Sequence, residues 1–181
     1  MKRNMKQWVA DTIAAPVKQA MPVLSFPAIQ LMGITVKDLI SSSDLQAKGM
    51  KLIADRTKTA ASVSLMDLSI EAECFGSEIH VSDDEVPTVV GSIVSSEEEA
   101  DALKVPEVGS GRTGIYIEAI SKACELITDR PVFAGIIGQF SLAGRLMDVT
   151  EAMIYCYEEP EMVETILEKV TDFLIQYSLA Y

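Results

Sequence analysis

The chain has 181 residues, 49% hydrophobic and 23% charged. This is ordinary globular composition, and it points to one domain or to a piece of a larger one. Fifteen Lys and Arg stand against 27 Asp and Glu, a formal net charge of −12. No basic stripe offers itself to a phosphate backbone, which argues against nucleic acid as a partner. Cys74, Cys124 and Cys156 are odd in number and lack any C-x-x-C spacing. They suit a reduced cytoplasmic chain in which they serve as small buried hydrophobes, not a disulfide framework.

The start, residues 1–21, has the basic beginning of a signal peptide, but Gln7, Asp11, Lys18 and Gln19 interrupt any apolar stretch. It reads as an amphipathic first helix. No apolar run approaches the roughly 20 residues needed to cross a membrane. "VLSFPAIQLMG" follows, with Val23, Leu24 and Phe26 predicting a buried strand ended by Pro27. Thr35 and Asp38 resemble a capping box. A second helix start at Ser41 to Asp44 leads through Leu45, Met50, Ile53 and Ala54.

"ASVSLMDLS" is β-branched and apolar up to Asp67 and predicts a strand. "IEAECFGSEIHVSDDEVPTVVGSIV" then predicts a hairpin turning at residues 82–85, with His80 on its surface. "SSEEEADAL" is a short helix with an acidic start, and "KVPEVGSGRTG" is loop. Residues 112–128 form a helix with Ile117, Ile120, Cys124 and Ile127 at helical spacing. Residues 130–138, "RPVFAGIIG", form a strand apolar on both faces, as in a buried parallel sheet. From Thr150 the chain is helical, with Pro160 in a new first turn and a stripe from Met162 to Tyr177. No stop signal follows the stripe, the pattern expected of a truncated chain.

This order predicts an α/β protein with mostly parallel strands, three of them in the core. A whole (β/α)8 barrel takes about 250 residues, so a barrel here would be the first portion of one. "GSGRTG", residues 109–114, matches Gly-x-Gly-x-x-Gly, but a dinucleotide fingerprint needs a strand directly before it, and "ALKVPEV" is a poor one. The motif therefore predicts a loop opening a helix, with anion binding beside Arg112 as the lesser alternative.

In parallel α/β folds, reacting groups gather at the C-terminal ends of strands. Asp67 stands at such an end, either as a site carboxylate or as a helix cap or structural ion pair. Glu71 and Glu73 either join it or are solvated acids. The loop after the last strand brings Gly138, Gln139, Phe140 and Ser141 to the same rim. Its glycines either admit a ligand or serve packing. His80, six residues from Cys74, has no second ligand at zinc-like spacing.

"SLMDLSIEAECFGSEIHVSDDEVPTV", "GRTGIYIEAISKACELI", "PVFAGIIGQFSLAGRLM" and "EEPEMVETILEKVTDFLIQY" occur in this order. Together they resemble the uroporphyrinogen decarboxylase superfamily, and within it the corrinoid-dependent methyltransferases, over about residues 1–181. The resemblance implies a partial (β/α)8 TIM barrel: the N-terminal half of such a barrel with a β-hairpin insertion, as a single domain with its helix at 1–21 and its barrel elements at 22–181. Asp67 in "LMDL" is similar to the decarboxylase Asp that contacts pyrrole N–H groups. The propionate-binding arginines of the decarboxylases have no match in "FPAIQLMG", where Gln30 stands among the substrate-binding positions along with Glu71 and residues 138–141.

The methyltransferase branch moves a methyl group from a methyl-corrinoid protein to a thiol such as coenzyme M, or to tetrahydrofolate. Its zinc ligands, a His-x-Cys pair and a later Cys, belong to the second half of the barrel, so no metal ligand is assigned to this chain. The resemblance implies a corrinoid protein as partner and a small-molecule methyl acceptor. The chain alone is expected to be inactive, and a homodimer is one way to cover its open sheet edge. Uroporphyrinogen decarboxylation is the alternative activity, and a non-catalytic half-barrel binding or assembly module the second.

Overall fold

A computed structural model of the chain describes residues 3–181. Helix α1 (Met5–Ala14) is opened by Asn4, whose side chain accepts from the Gln7 N–H. It is shorter than the helix expected over residues 1–21: it ends ahead of Pro16, and residues 1–2 lie outside the described residues. The expected strand at residues 23–26 is not formed. Pro27 takes the first helical position instead, and α2 (Pro27–Met32) begins there with Phe26 already in helical conformation. A proline's fixed φ and missing N–H suit a first turn, so the apolar run that reads as a strand end is a helix start.

The Thr35–Asp38 capping box is present, each partner accepting from the other's backbone N–H, and it opens α3 (Val36–Ile40). Ser42 caps α4 (Ser43–Arg56), which buries Ala47, Met50 and Ala54. Those side chains meet Ile120, Ala123 and Ile127 across α7 (Thr113–Leu126) in a core of their own. Ala119 and Ala123 let these helices approach closely. Cys124 falls on the outer face and Cys156 is exposed too, contrary to the expectation of buried thiols; Cys74 is half-buried. Helical spacing alone left the buried face of α7 ambiguous, and small alanines took the inner positions.

Strand β1 (Ser62–Val63) pairs in parallel with β4 (Val132–Phe133), Ser62 opposite Val132. These are the only core strands paired among the described residues, where three were expected. The ladder is shorter than "RPVFAGIIG" suggests, with Val132 and Phe133 half-buried, and among the described residues each of the two strands pairs with one neighbour. Gly135 explains how the pair stays close beyond the ladder. A Cβ there would lie 2.2 Å from Met66 Sδ, and its N–H donates to Ser64 Oγ at 2.9 Å. Gly135 thus serves strand packing.

Between the strands, residues expected as the first arm of the hairpin form α5 (Ile70–Cys74) instead. The hairpin itself is β2 (Glu78–His80) against β3 (Thr88–Val90), antiparallel, with His80 exposed as expected. Ser96 opens α6 (Glu97–Ala102), and Lys169 Nζ donates to the Ala100 and Asp101 carbonyls at its end. Helices α8 (Gln139–Met147) and α9 (Val149–Glu158) meet at Asp148, whose φ of 74° breaks the helix and whose carboxylate caps α9.

The long α10 (Pro160–Ala180) lays Met162, Val163, Ile166, Val170, Phe173, Leu174 and Tyr177 into the main core, while Leu167 is half-buried. Phe173 is fully buried, edge-on to Phe75 at 5.3 Å and stacked on Tyr177 at 5.7 Å. Replacing it by Ala removes both contacts and leaves a cavity. Phe173→Ala should lower the unfolding free energy by about 3–5 kcal/mol in a urea titration, with the slope unchanged.

Candidate active site

Asp67 lies four residues past β1, where the chain turns into α5, and is 3% exposed. Its Oδ1 accepts from the Ser69 N–H at 3.0 Å and from Ser69 Oγ at 2.6 Å. Its Oδ2 accepts from Arg112 Nη1 and from Tyr116 Oη, the latter at 3.0 Å. A carboxylate has about four lone-pair sites, so its own chain occupies them all.

Arg112 is the last residue of the glycine-rich loop before α7, and its side chain is 12% exposed. Besides Asp67 it donates from Nε to Glu73 Oε2 at 2.5 Å and from Nη2 to Ser69 Oγ at 3.0 Å. Burial works against its charge, but the charges of Asp67 and Glu73 outweigh that, and the guanidinium is held above its ordinary range. Burial, reinforced by the Asp67 charge, also pushes the Tyr116 hydroxyl up, so it keeps its proton and acts as a donor. One turn into α7, Tyr116 is placed there by the same helix that presents Arg112.

The loop "GSGRTG" is shaped to deliver this arginine. Thr113 Oγ1 accepts from the Gly109 N–H at 3.1 Å and donates to the Ser110 carbonyl at 2.5 Å, closing the loop on itself. Gly114 is forced by the fold, since a Cβ there would meet the Gly109 oxygen at 2.7 Å. The motif therefore holds a cation for a buried carboxylate, and Arg112 is occupied by protein acids instead of an anion. Arg112 and Tyr116 are the site residues missed in the sequence. A lone arginine entering a helix in an acidic chain, with a tyrosine four residues on, was the available signal.

Glu71 is 2% exposed, not a solvated acid. Its Oε1 accepts from the Ile137 N–H at 3.1 Å, tying α5 to the segment just past β4. Neither Glu71 Oε2 nor the Arg145 Nε of neighbouring α8 has a hydrogen-bond partner among the described residues. Burial raises the Glu71 carboxyl above its ordinary value; the Ile137 N–H works the other way, and the Asp67 charge adds to the rise. Tyr177 of α10 and Tyr181 just past its end have hydroxyls 2.5 Å apart, and burial raises both.

Gly138, Gln139, Phe140 and Ser141 are exposed around the start of α8. Gly138 and Gln139 border an open, largely apolar depression of about 400 Å³ with Ile136, Leu174 and Ile175. Asp67, Glu71 and this segment are thus joined through Ile137 at one end of the strand pair. Gln30 is exposed on α2, without a hydrogen bond to that cluster. Among the described residues no group of three or more His, Cys, Asp and Glu is arranged to hold a metal ion, so these residues do not fit a zinc centre. No helix there is long and apolar enough to cross a membrane.

Fold and site together define an α/β protein in which a buried, charge-matched carboxylate stands beyond the C-terminal end of a parallel strand. The family described as uroporphyrinogen decarboxylase (URO-D) matches residues 4–181, and the chain belongs to it. Over 117 residues it is 32% identical to methylcobamide:CoM methyltransferase MtbA of Methanosarcina acetivorans and 31% identical to that of Methanosarcina mazei. Each match takes in 63% of this chain and 34% of the relative. A solved structure of a methyltransferase from Methanosarcina mazei superposes with a TM-score of 0.82 at 22% identity, covering 99% of this chain and 56% of that one. The chain thus spans little more than half the length of that neighbour.

The elevated Glu71 value means that the folded chain holds a proton more tightly than the unfolded one. Its stabilising contribution is complete below the ordinary glutamate range and is lost as pH rises through the elevated value. Glu71→Gln keeps an acceptor for the Ile137 N–H without the charge. Thermal unfolding should find it close to wild type below the ordinary glutamate range, at about pH 4, and more stable than wild type at neutral pH, the gap opening as pH rises above that range.

Proposed function

We propose that the chain is the N-terminal half of a (β/α)8 barrel belonging to a corrinoid-dependent methyltransferase. The whole protein moves a methyl group from a methyl-corrinoid protein to a thiol such as coenzyme M, or to tetrahydrofolate. The half-barrel reading is supported by the 56% coverage of the neighbouring structure and by the apolar depression beyond β4. The relatives' printed activity, over 117 matched residues, supports methyl transfer.

The observation that carries this reading against porphyrinogen decarboxylation is the saturation of Asp67. In the decarboxylases the resemblance assigns the matching Asp to pyrrole N–H groups, which requires free lone pairs. Here Ser69, Arg112 and Tyr116 take them. The stretch 22–33 also carries no arginine for propionate groups. Asp67 is therefore a positioning residue: it aligns Arg112 and Tyr116 at the strand end. The transfer chemistry would be supplied by the methyl-corrinoid and the acceptor, and no residue of this chain is assigned a bond-making part in it. The duty left to this half is to shape a rim on which the corrinoid protein docks and to keep its polar floor rigid.

A pull-down with a methylated corrinoid protein tests the reading, run beside an assay of uroporphyrinogen conversion. The chain should retain the corrinoid protein, and Phe140→Glu at the exposed rim should weaken retention about tenfold or more, as expected for a charge placed in a desolvated contact. Conversion of uroporphyrinogen, or no retention of corrinoid protein, would contradict it.

A further inference from the structure

The opposite end of the strand pair carries a second feature. The turns leading into β1 and β4 are tied to the N-terminal region, with the Ala60 N–H donating to the Ala20 carbonyl and Arg3 Nη2 to the Thr128 carbonyl at 3.0 Å. Trp8 of α1 packs on Phe133 of β4 with ring centroids 5.6 Å apart. These contacts enclose a polar depression of about 340 Å³ lined by Arg3, Trp8, Gln19, Lys58, Asp129 and Arg130. Three cations from distant parts of the chain meet one carboxylate there, in a protein whose acids outnumber its bases by 27 to 15.

The three cations are not equivalent. Arg130 is locked: Nε and Nη2 donate to Asp129 Oδ2, and Nη1 to the Thr57 carbonyl and Thr59 Oγ1. It forms a rigid floor that neutralises the only carboxylate of the lining. Among the described residues Arg3 commits Nη2 alone, leaving Nε and Nη1. Lys58 is exposed and has no hydrogen bond or ion pair among the described residues. Two cations with unused donors thus face one space beside an indole ring. The volume is several times the roughly 30 Å³ share of one water molecule, enough for an organic body as well as an anionic head.

We propose that this depression binds a small phosphorylated organic molecule, its phosphate held between Lys58 and Arg3 and its flat apolar part lying against Trp8. A guanidinium fork and an ammonium together match the oxygens of a phosphate monoester, and an indole face suits a planar ring. The ligand sits at the end of the strands remote from Asp67, so it does not compete with the proposed methyl transfer and does not depend on that reading.

Trp8 is the only tryptophan, so emission excited beyond the tyrosine band reports on this depression. Phenyl phosphate titrated into the chain should quench Trp8 saturably. Inorganic phosphate should displace it more weakly, and phenol at the same concentrations should do nothing. Lys58→Gln and Arg3→Gln, both at exposed positions, should each weaken binding about tenfold with the chain still folded, as its unfolding transition checks. Quenching that never saturates, equal effects of sulfate or chloride at matched ionic strength, or unchanged affinity in both cation variants would overturn the proposal.

Discussion

A carboxylate buried at the end of a parallel strand has to be matched, and the rest of the site follows from how this chain matches it. Asp67 is 3% exposed, and an ionised group in that position is tolerated only with its charge balanced and its lone pairs filled. The balance comes from Arg112, 45 residues away in sequence, with Ser69 and Tyr116 supplying the remaining donors. Because Arg112 leads into α7 and Ser69 into α5, one ion pair fixes the starts of two helices against the end of β1. The "GSGRTG" loop exists in its closed form to bring that guanidinium inward.

The second strand end is fixed by a weaker device. Glu71, in the first turn of α5, accepts the Ile137 N–H just past β4, so α5 bridges the ends of both core strands. Here burial is met with the Ile137 N–H and no direct ion pair, and the carboxyl is raised above its ordinary value. Two acids four residues apart thus meet different surroundings: Asp67 is ion-paired to Arg112 and fully hydrogen-bonded, whereas Glu71 has one cross-chain N–H donor and burial raises its carboxyl above the ordinary value. This pair of unlike carboxyl groups makes a polar floor beside the open apolar depression that Gly138 and Gln139 border.

Features set by neighbouring residues were legible in the sequence. The Thr35–Asp38 box, the Ser42 and Ser96 caps and the stripe of α10 all rest on contacts within a turn or two. The hairpin and its exposed His80 were legible for the same reason, although α5 took the first residues assigned to it. Misreadings came where local pattern admits two outcomes. Phe26–Pro27 can end a strand or begin a helix, and the apolar residues of α7 could place either Cys124 or Ala123 inward. The site was half legible. Asp67 followed from its place after an apolar run, whereas its partners Arg112 and Tyr116 and the burial of Glu71 depend on contacts made only when α5, α7 and the strand ends come together.

The Asp67–Arg112 pair is the claim on which this account rests, and a double-mutant cycle measures it directly. Unfolding free energies of Asp67→Asn, Arg112→Gln and the double variant, taken in urea at neutral pH, should give a coupling of about 2 kcal/mol or more, because each single change strands a buried partner. A coupling within about 0.5 kcal/mol of zero, with each single variant near wild type, would mean that the two charges do not depend on each other and that the site is organised by something else.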